Sequence, residues 1–67
     1  MKKNLWDIKR AFKFKGIDVN KPGATMDATH HKGEYWILHI AQNGRPVPLY
    51  HTKDAQDAIN YVNAHEW

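Results

Sequence analysis

Residues 34–51, EYWILHIAQNGRPVPLYH, decide how this chain folds. Two runs rich in aromatic and β-branched residues, Glu34–Gln42 and Arg45–His51, flank Asn43-Gly44, the pair preferred at the centre of a two-residue type I′ hairpin turn. If Gln42 pairs with Arg45, the ladder runs Ala41 with Pro46, Ile40 with Val47, His39 with Pro48 and Leu38 with Leu49. Bonded and non-bonded pairs alternate outward from the turn, so both prolines fall at non-bonded positions. Prolines there suit an edge strand and discourage another chain from pairing with it.

Opposite residues in a ladder share a face. The register therefore gathers Trp36, Leu38, Ile40, Val47 and Leu49 on one apolar face, the expected core. Tyr35, Ile37, His39, Ala41, Pro46, Pro48 and Tyr50 are expected on the other, which is half aromatic and half polar.

Upstream, Ala24 to His30 reads as a weaker strand with Met26 and Ala28 on one side, turning through His31-Lys32-Gly33 into the next. Before it, Asn4 caps a helix running to Lys15, in which Leu5, Ile8, Ala11 and Phe12 form one stripe. Phe12 to Lys15 also alternate as a strand would, but the helical period holds over the longer window. Gly16 ends the helix and Ile17 folds back on Phe12, as in a Schellman ending. Asn20-Lys21-Pro22-Gly23 then places proline and glycine where a type II turn wants them. At the other end, Thr52 is expected to cap a helix from Lys53 to about His65. Asp54 and Asp57 sit near its positive end, and Ala55, Ala58, Ile59 and Val62 form its stripe. The expected fold is a single α+β domain over residues 1–67, two layers in the order α-β-β-β-α. A three-stranded antiparallel sheet packs on two helices through its Trp36 face.

A chain of 67 residues buries only about 60% of its unfolded surface. It has no cysteine, which rules out disulfides and thiolate zinc sites and suits a reducing cytoplasm. The longest apolar run, Tyr35–Leu38, is far short of the ~20 residues that span a bilayer. No apolar segment follows Lys2-Lys3 as it would in a signal peptide. A cytoplasmic protein without membrane contact is the expectation.

Charge is distributed unevenly. The first 21 residues carry seven basic side chains (Lys2, Lys3, Lys9, Arg10, Lys13, Lys15, Lys21) and two acidic ones, a local charge of +5. The other 46 carry three basic and five acidic, −2, giving the net +3. So concentrated a field bears on association with anionic partners rather than on fold. On the first helix Trp6, Arg10, Lys13 and Phe14 fall within a quarter turn beside the apolar stripe. Basic groups interleaved with aromatic ones combine phosphate attraction with base stacking. Trp6, Lys9, Arg10, Lys13, Phe14 and Lys15 are thus the candidate contacts to DNA, RNA or another polyanion. The competing reading has Trp6 and Phe14 wrapping the edge of a small core while the lysines are solvated.

The order helix, three strands, helix resembles that of the double-stranded RNA-binding domain. That family places a lysine-rich motif at the start of its last helix. The matching stretch here, Lys53-Asp54-Ala55-Gln56-Asp57, has two acids and one base, so the family's contacts are not carried over. The order of three strands and a helix is similarly like that of the arm-binding domains of phage-type integrases, which lay a sheet in the DNA major groove. Here the sheet offers mainly Lys32 and Arg45.

No cofactor or metal is implied. His30 and His31 point to opposite faces of a strand, His39 and His51 to opposite faces of the hairpin, and His65 lies at the far end of the last helix, whereas zinc needs three or four converging ligands. No nucleophile motif, phosphate-cradling glycine loop or carboxylate pair is present, so a non-enzymatic module is expected. The alternative function is protein interaction or homodimerisation through Tyr35, Ile37, His39, Pro46, Pro48 and Tyr50, exposed if no helix covers their face. An inhibitor or accessory protein of a phage or mobile element fits that description. Trp67 or the chain ends are the alternative cover for the same face.

Overall fold

The computed structural model describes residues 3–65, so Lys2 and Trp67 lie outside the described residues. Helix α1 spans Leu5–Phe14, strand β1 Met26–His31, β2 Glu34–Ile40, β3 Pro46–Thr52, and helix α2 Ala55–Ala64. The expected element order is present, with an antiparallel sheet in which β2 is central and β1 and β3 are the edges.

Asn4 opens α1 with a capping box. Its Oδ1 accepts from the Trp6 N–H at 2.9 Å and its own N–H donates to Asp7 Oδ2 at 2.8 Å, satisfying donors that a helix start leaves unpaired. At the far end Gly16 takes φ 85°. The Gly16 N–H reaches Lys13 O at 2.9 Å and the Ile17 N–H reaches Phe12 O at 3.0 Å, the paired bonds of a Schellman ending. This closure folds Ile17 onto the core. The type II turn follows at Lys21–Ala24, where the Ala24 N–H donates to Lys21 O at 3.2 Å across Pro22 and Gly23.

The two hairpins use different turns from those expected. Lys32 (φ 53°) and Gly33 (φ 79°) lie between the paired residues His31 and Glu34, so the two-residue turn of type I′ sits there. Around Asn43-Gly44 the loop has three residues, with the Gly44 N–H on Ala41 O at 2.8 Å and the Ala41 N–H on Arg45 O at 2.9 Å. Gly44 takes φ 82°, which makes a type I turn followed by a glycine bulge. Asn43 Oδ1 accepts from the Arg45 N–H at 3.0 Å, a local bond that holds asparagine in this geometry. The extra loop residue corrects the expected ladder: Ile40 pairs with Pro46, His39 with Val47 and Leu38 with Pro48. Leu49 then bulges, and Ile37 with Tyr50 and Trp36 with His51 resume the expected register. Because Ala41 and Arg45 form a bonded pair, both prolines still fall at non-bonded positions.

Among the described residues Lys32 is the one non-glycine residue at positive φ. Its Cβ is strained there in a way that asparagine tolerates better. Lys32→Asn is expected to stabilise the domain by ~0.5–1 kcal/mol, read as a rise of a few degrees in thermal denaturation.

The Trp36, Leu38 and Ile40 side, expected to form the core, is the one left outside, and the one-residue shift moves Val47 off that side and Pro46 and Pro48 onto it. Both helices cover the Ile37 side of the sheet, where Ile8, Phe12, Ile37 and Val62 are fully buried among Met26, Ala28, Ala55 and Ala58. The reason lies in β1. Its register sets Ala28 opposite Ile37 and Met26 opposite His39, but Asp27 opposite Leu38 and Thr29 opposite Trp36. Packing helices on the Trp36 face would drive the Asp27 carboxylate toward the core, a charge burial costing several kcal/mol or more. On the solvent side Asp27 instead accepts the Ala28 N–H at 2.8 Å. Since the Ile40 N–H bonds Thr25 O, alternation points the Ala28 N–H out of the sheet, so Asp27 blunts the β1 edge.

Thr52 is still paired with Tyr35 at the end of β3, so the chain needs two more residues to turn, and Asp54 rather than Thr52 caps α2. Asp54 Oδ1 accepts from the Gln56 N–H at 3.0 Å, while Thr52 Oγ1 accepts from the Asp54 N–H at 3.2 Å. Ala55, Ala58, Ile59 and Val62 are buried as expected.

Tyr50 ties β3 to α2. Its ring stacks on Tyr61 with centroids 4.3 Å apart, and its hydroxyl donates to Asp57 Oδ2 at 2.6 Å. The bond from Tyr50, with a second from Thr52, holds the Asp57 carboxyl below its ordinary value; the same bond pushes the Tyr50 phenol up. A carboxyl with a depressed folded pKa stabilises above its unfolded value, and that contribution disappears as pH falls through the folded one. Tyr50→Phe is therefore expected to lower the urea midpoint at pH 7. The gap between variant and wild type should narrow toward pH 3; a gap independent of pH would exclude this linkage.

Candidate nucleic-acid interface

The buried stripe of α1 is Ile8, Ala11 and Phe12, which fixes what the opposite side presents. Trp6 is 67% exposed and Phe14 84% exposed. Neither side chain wraps the core edge. Trp6, Lys9, Arg10 and Lys13 line one groove of ≈ 330 Å³, and Asp18 to Asn20 form its other wall. These last three residues escape a reading of the helix alone. Their signal is Gly16, whose reversal sends the following chain back alongside α1.

Within the groove Lys9 Nζ lies 5.7 Å from the centre of the Trp6 ring, within cation–π range. Arg10 Nη1 is 3.9 Å from Asp7 Oδ1 with its side chain 66% exposed. A pair that long and solvated holds the guanidinium weakly. Asp18 Oδ1 accepts from the Asn20 N–H at 3.0 Å, so the acid in the groove is occupied with its own turn. Phe14 lines a second groove with Lys3 and with Gln56 and Asn63 of α2, and Arg10 borders both. Lys15, the remaining candidate, is the half-buried C-cap of α1 and lines neither groove.

The expected protein-interface residues do not form one surface. Ile37 is fully buried, while Tyr35 and Tyr50 are half-buried and packed against the core, because the helices occupy their face. His39, Pro46 and Pro48 are exposed. Pro48 belongs instead to a shallow apolar groove on the reverse face with Thr29, His31, Trp36 and Leu38. There Trp36 stacks on His51 at 4.6 Å, its Nε1–H donates to His31 O at 3.3 Å, and His51 Nδ1 lies 3.0 Å from Glu34 Oε1.

Two further histidines are engaged locally: His30 packs on Tyr35 at 4.5 Å and His65 on Tyr61 at 4.1 Å. Among the described residues no three His, Cys, Asp or Glu side chains gather, and no helix is long and apolar enough to cross a membrane. The chain matches no protein-family model, no curated protein and no solved structure. Its likeness to the double-stranded RNA-binding domain and to integrase arm-binding domains is one of element order.

Proposed function

We propose that this chain is a non-enzymatic binding module that contacts nucleic acid, or another polyanion, through the outer face of α1. The observation that carries the reading is the exposure of Trp6 and Phe14 among Lys9, Arg10 and Lys13. A helix this short leaves a tryptophan and a phenylalanine in water at a cost in hydration that packing them would remove. Alternated with cations, they offer the two attractions a nucleic acid supplies partners for: phosphate charge and the flat faces of bases. The acids that dilute the field, Asp7 and Asp18, are both held in turns and caps of their own.

The test is a titration of fluorescently labelled oligonucleotides, single-stranded and duplex, at 50 and 200 mM salt. With Lys9, Arg10 and Lys13 as three phosphate contacts, affinity for a single strand falls with a log–log salt slope of about −2, roughly fifteenfold over that range. Absence of binding at the lower salt removes the reading.

A second reading is protein contact through the reverse face of the sheet. Trp36, Leu38 and Pro48 present a largely apolar groove there, and the simplest occupant is a second copy. Sedimentation at micromolar to millimolar concentration tests it: a monomer throughout eliminates self-association.

A further inference from the structure

Resting on that reading of α1, we infer that its ligand is single-stranded rather than duplex nucleic acid. Three observations point the same way. The first is the exposure of both rings, 67% for Trp6 and 84% for Phe14. Inside a duplex each base is stacked between neighbours, so an aromatic platform has no free base face to meet, whereas unpaired bases present theirs to any flat ring.

The second is spacing. Trp6 and Phe14 are eight residues apart on one helix, about 12 Å along its axis. That is more than three times the ~3.4 Å rise per nucleotide of a duplex strand. Bases seated on both rings are therefore not stacking neighbours of each other, and the strand between them is drawn out along the helix. Arg10 stands between the two grooves and borders both, where it meets the phosphates of that connecting stretch.

The third is what the N-terminal turn of the helix lacks for entering a major groove. Base edges are read there by polar side chains projecting from the helix, above all Arg, Lys, Asn and Gln. The first turn here offers an exposed Trp6 and a half-buried Asp7, which carries the wrong charge for a phosphate-lined groove. Lysines of the same face, Lys9 and Lys13, suit backbone phosphates irrespective of sequence.

The experiment uses the full chain with fluorescein-labelled 15-nucleotide oligo-dT, oligo-rU, a mixed-sequence 15-base-pair duplex and heparin as a base-free polyanion, read by anisotropy at 50 mM salt. The single strands are expected to bind at least tenfold tighter than the duplex, and their relative affinities show whether DNA or RNA is preferred. Trp6→Ala and Phe14→Ala are each expected to weaken single-strand binding about fivefold to a hundredfold while leaving heparin binding unchanged. Trp6→Tyr should restore most of the loss. Both rings are exposed, so the thermal midpoint of each variant should stay near wild type, which separates lost stacking from lost fold. Duplex binding equal to or tighter than single-strand binding overturns the inference and leaves the basic-face reading standing, as does insensitivity to both alanine substitutions. Binding to none of the four probes overturns both.

Discussion

Ile37→Ala is expected to bring this domain close to unfolding at room temperature, whereas Leu38→Ala, one residue along the same strand, is expected to leave it folded. Ile37 is fully buried against the helices, and truncating a buried isoleucine to alanine costs about 2–5 kcal/mol through lost burial and the cavity left behind. At roughly 0.05–0.15 kcal/mol per residue a chain of this length holds only about 3–10 kcal/mol in total. Leu38 points to the solvent face opposite Pro48, so the loss there should stay below about 1 kcal/mol. Thermal and urea denaturation followed by circular dichroism compare the two. A loss of 3 kcal/mol in a domain this small lowers the midpoint by about 12–24 °C. Equal losses, or a larger one for Leu38→Ala, would place the core on the Trp36 side and contradict the packing described.

The largest functional effect is expected from reversing charge on α1. Lys9→Glu combined with Lys13→Glu removes two of three phosphate contacts and adds two repulsions. At 50 mM salt the affinity for oligonucleotides should fall by about a hundredfold or more, and the salt slope should drop from about −2 toward zero. The matching control reverses Lys32 and Lys53, which lie outside α1, and should change affinity much less. All four side chains lie outside the buried core, so stability should change by no more than about 0.5 kcal/mol per site. If the α1 reversal leaves affinity and slope unaltered, the basic helix is only a solvated surface.

Much of this architecture was legible in the sequence because it is locally encoded. Asn4, Gly16 and Ile17 act through bonds within a few residues of themselves, and each does what its position predicts. Pro22 and Gly23 likewise form their turn without help from afar. The hairpin was foreseen but not its turn, since Asn-Gly serves both a type I′ turn and a type I turn with a glycine bulge. Choosing between them shifts the ladder by one residue, and the bulge at Leu49 shifts it back. The cap of α2 moved for a comparable reason: Thr52 has cap chemistry, but strand pairing with Tyr35 reaches it first. Of the candidate site, Trp6, Arg10, Lys13 and Phe14 were readable from helical spacing alone, whereas the wall at Asp18 to Asn20 depends on where the chain goes after Gly16, and Lys15 lines neither groove.

What the sequence determined by itself is the set of elements, their order and the basic, aromatic stripe of the first helix, since these follow from periodicity, caps and turn residues. What only the tertiary structure decided is which side of the sheet meets the helices. The hairpin taken alone favours the Trp36 side, because more apolar carbon lies there. Adding β1 reverses the choice, because its register sets Asp27 and Thr29 beside Leu38 and Trp36, and Met26 and Ala28 beside Ile37. A carboxylate excludes its face from the core more strongly than extra apolar area recommends it. That balance turns Ile37 and Tyr50 inward toward α2, while α1, packed on β1 and α2, leaves Trp6 and Phe14 in solvent.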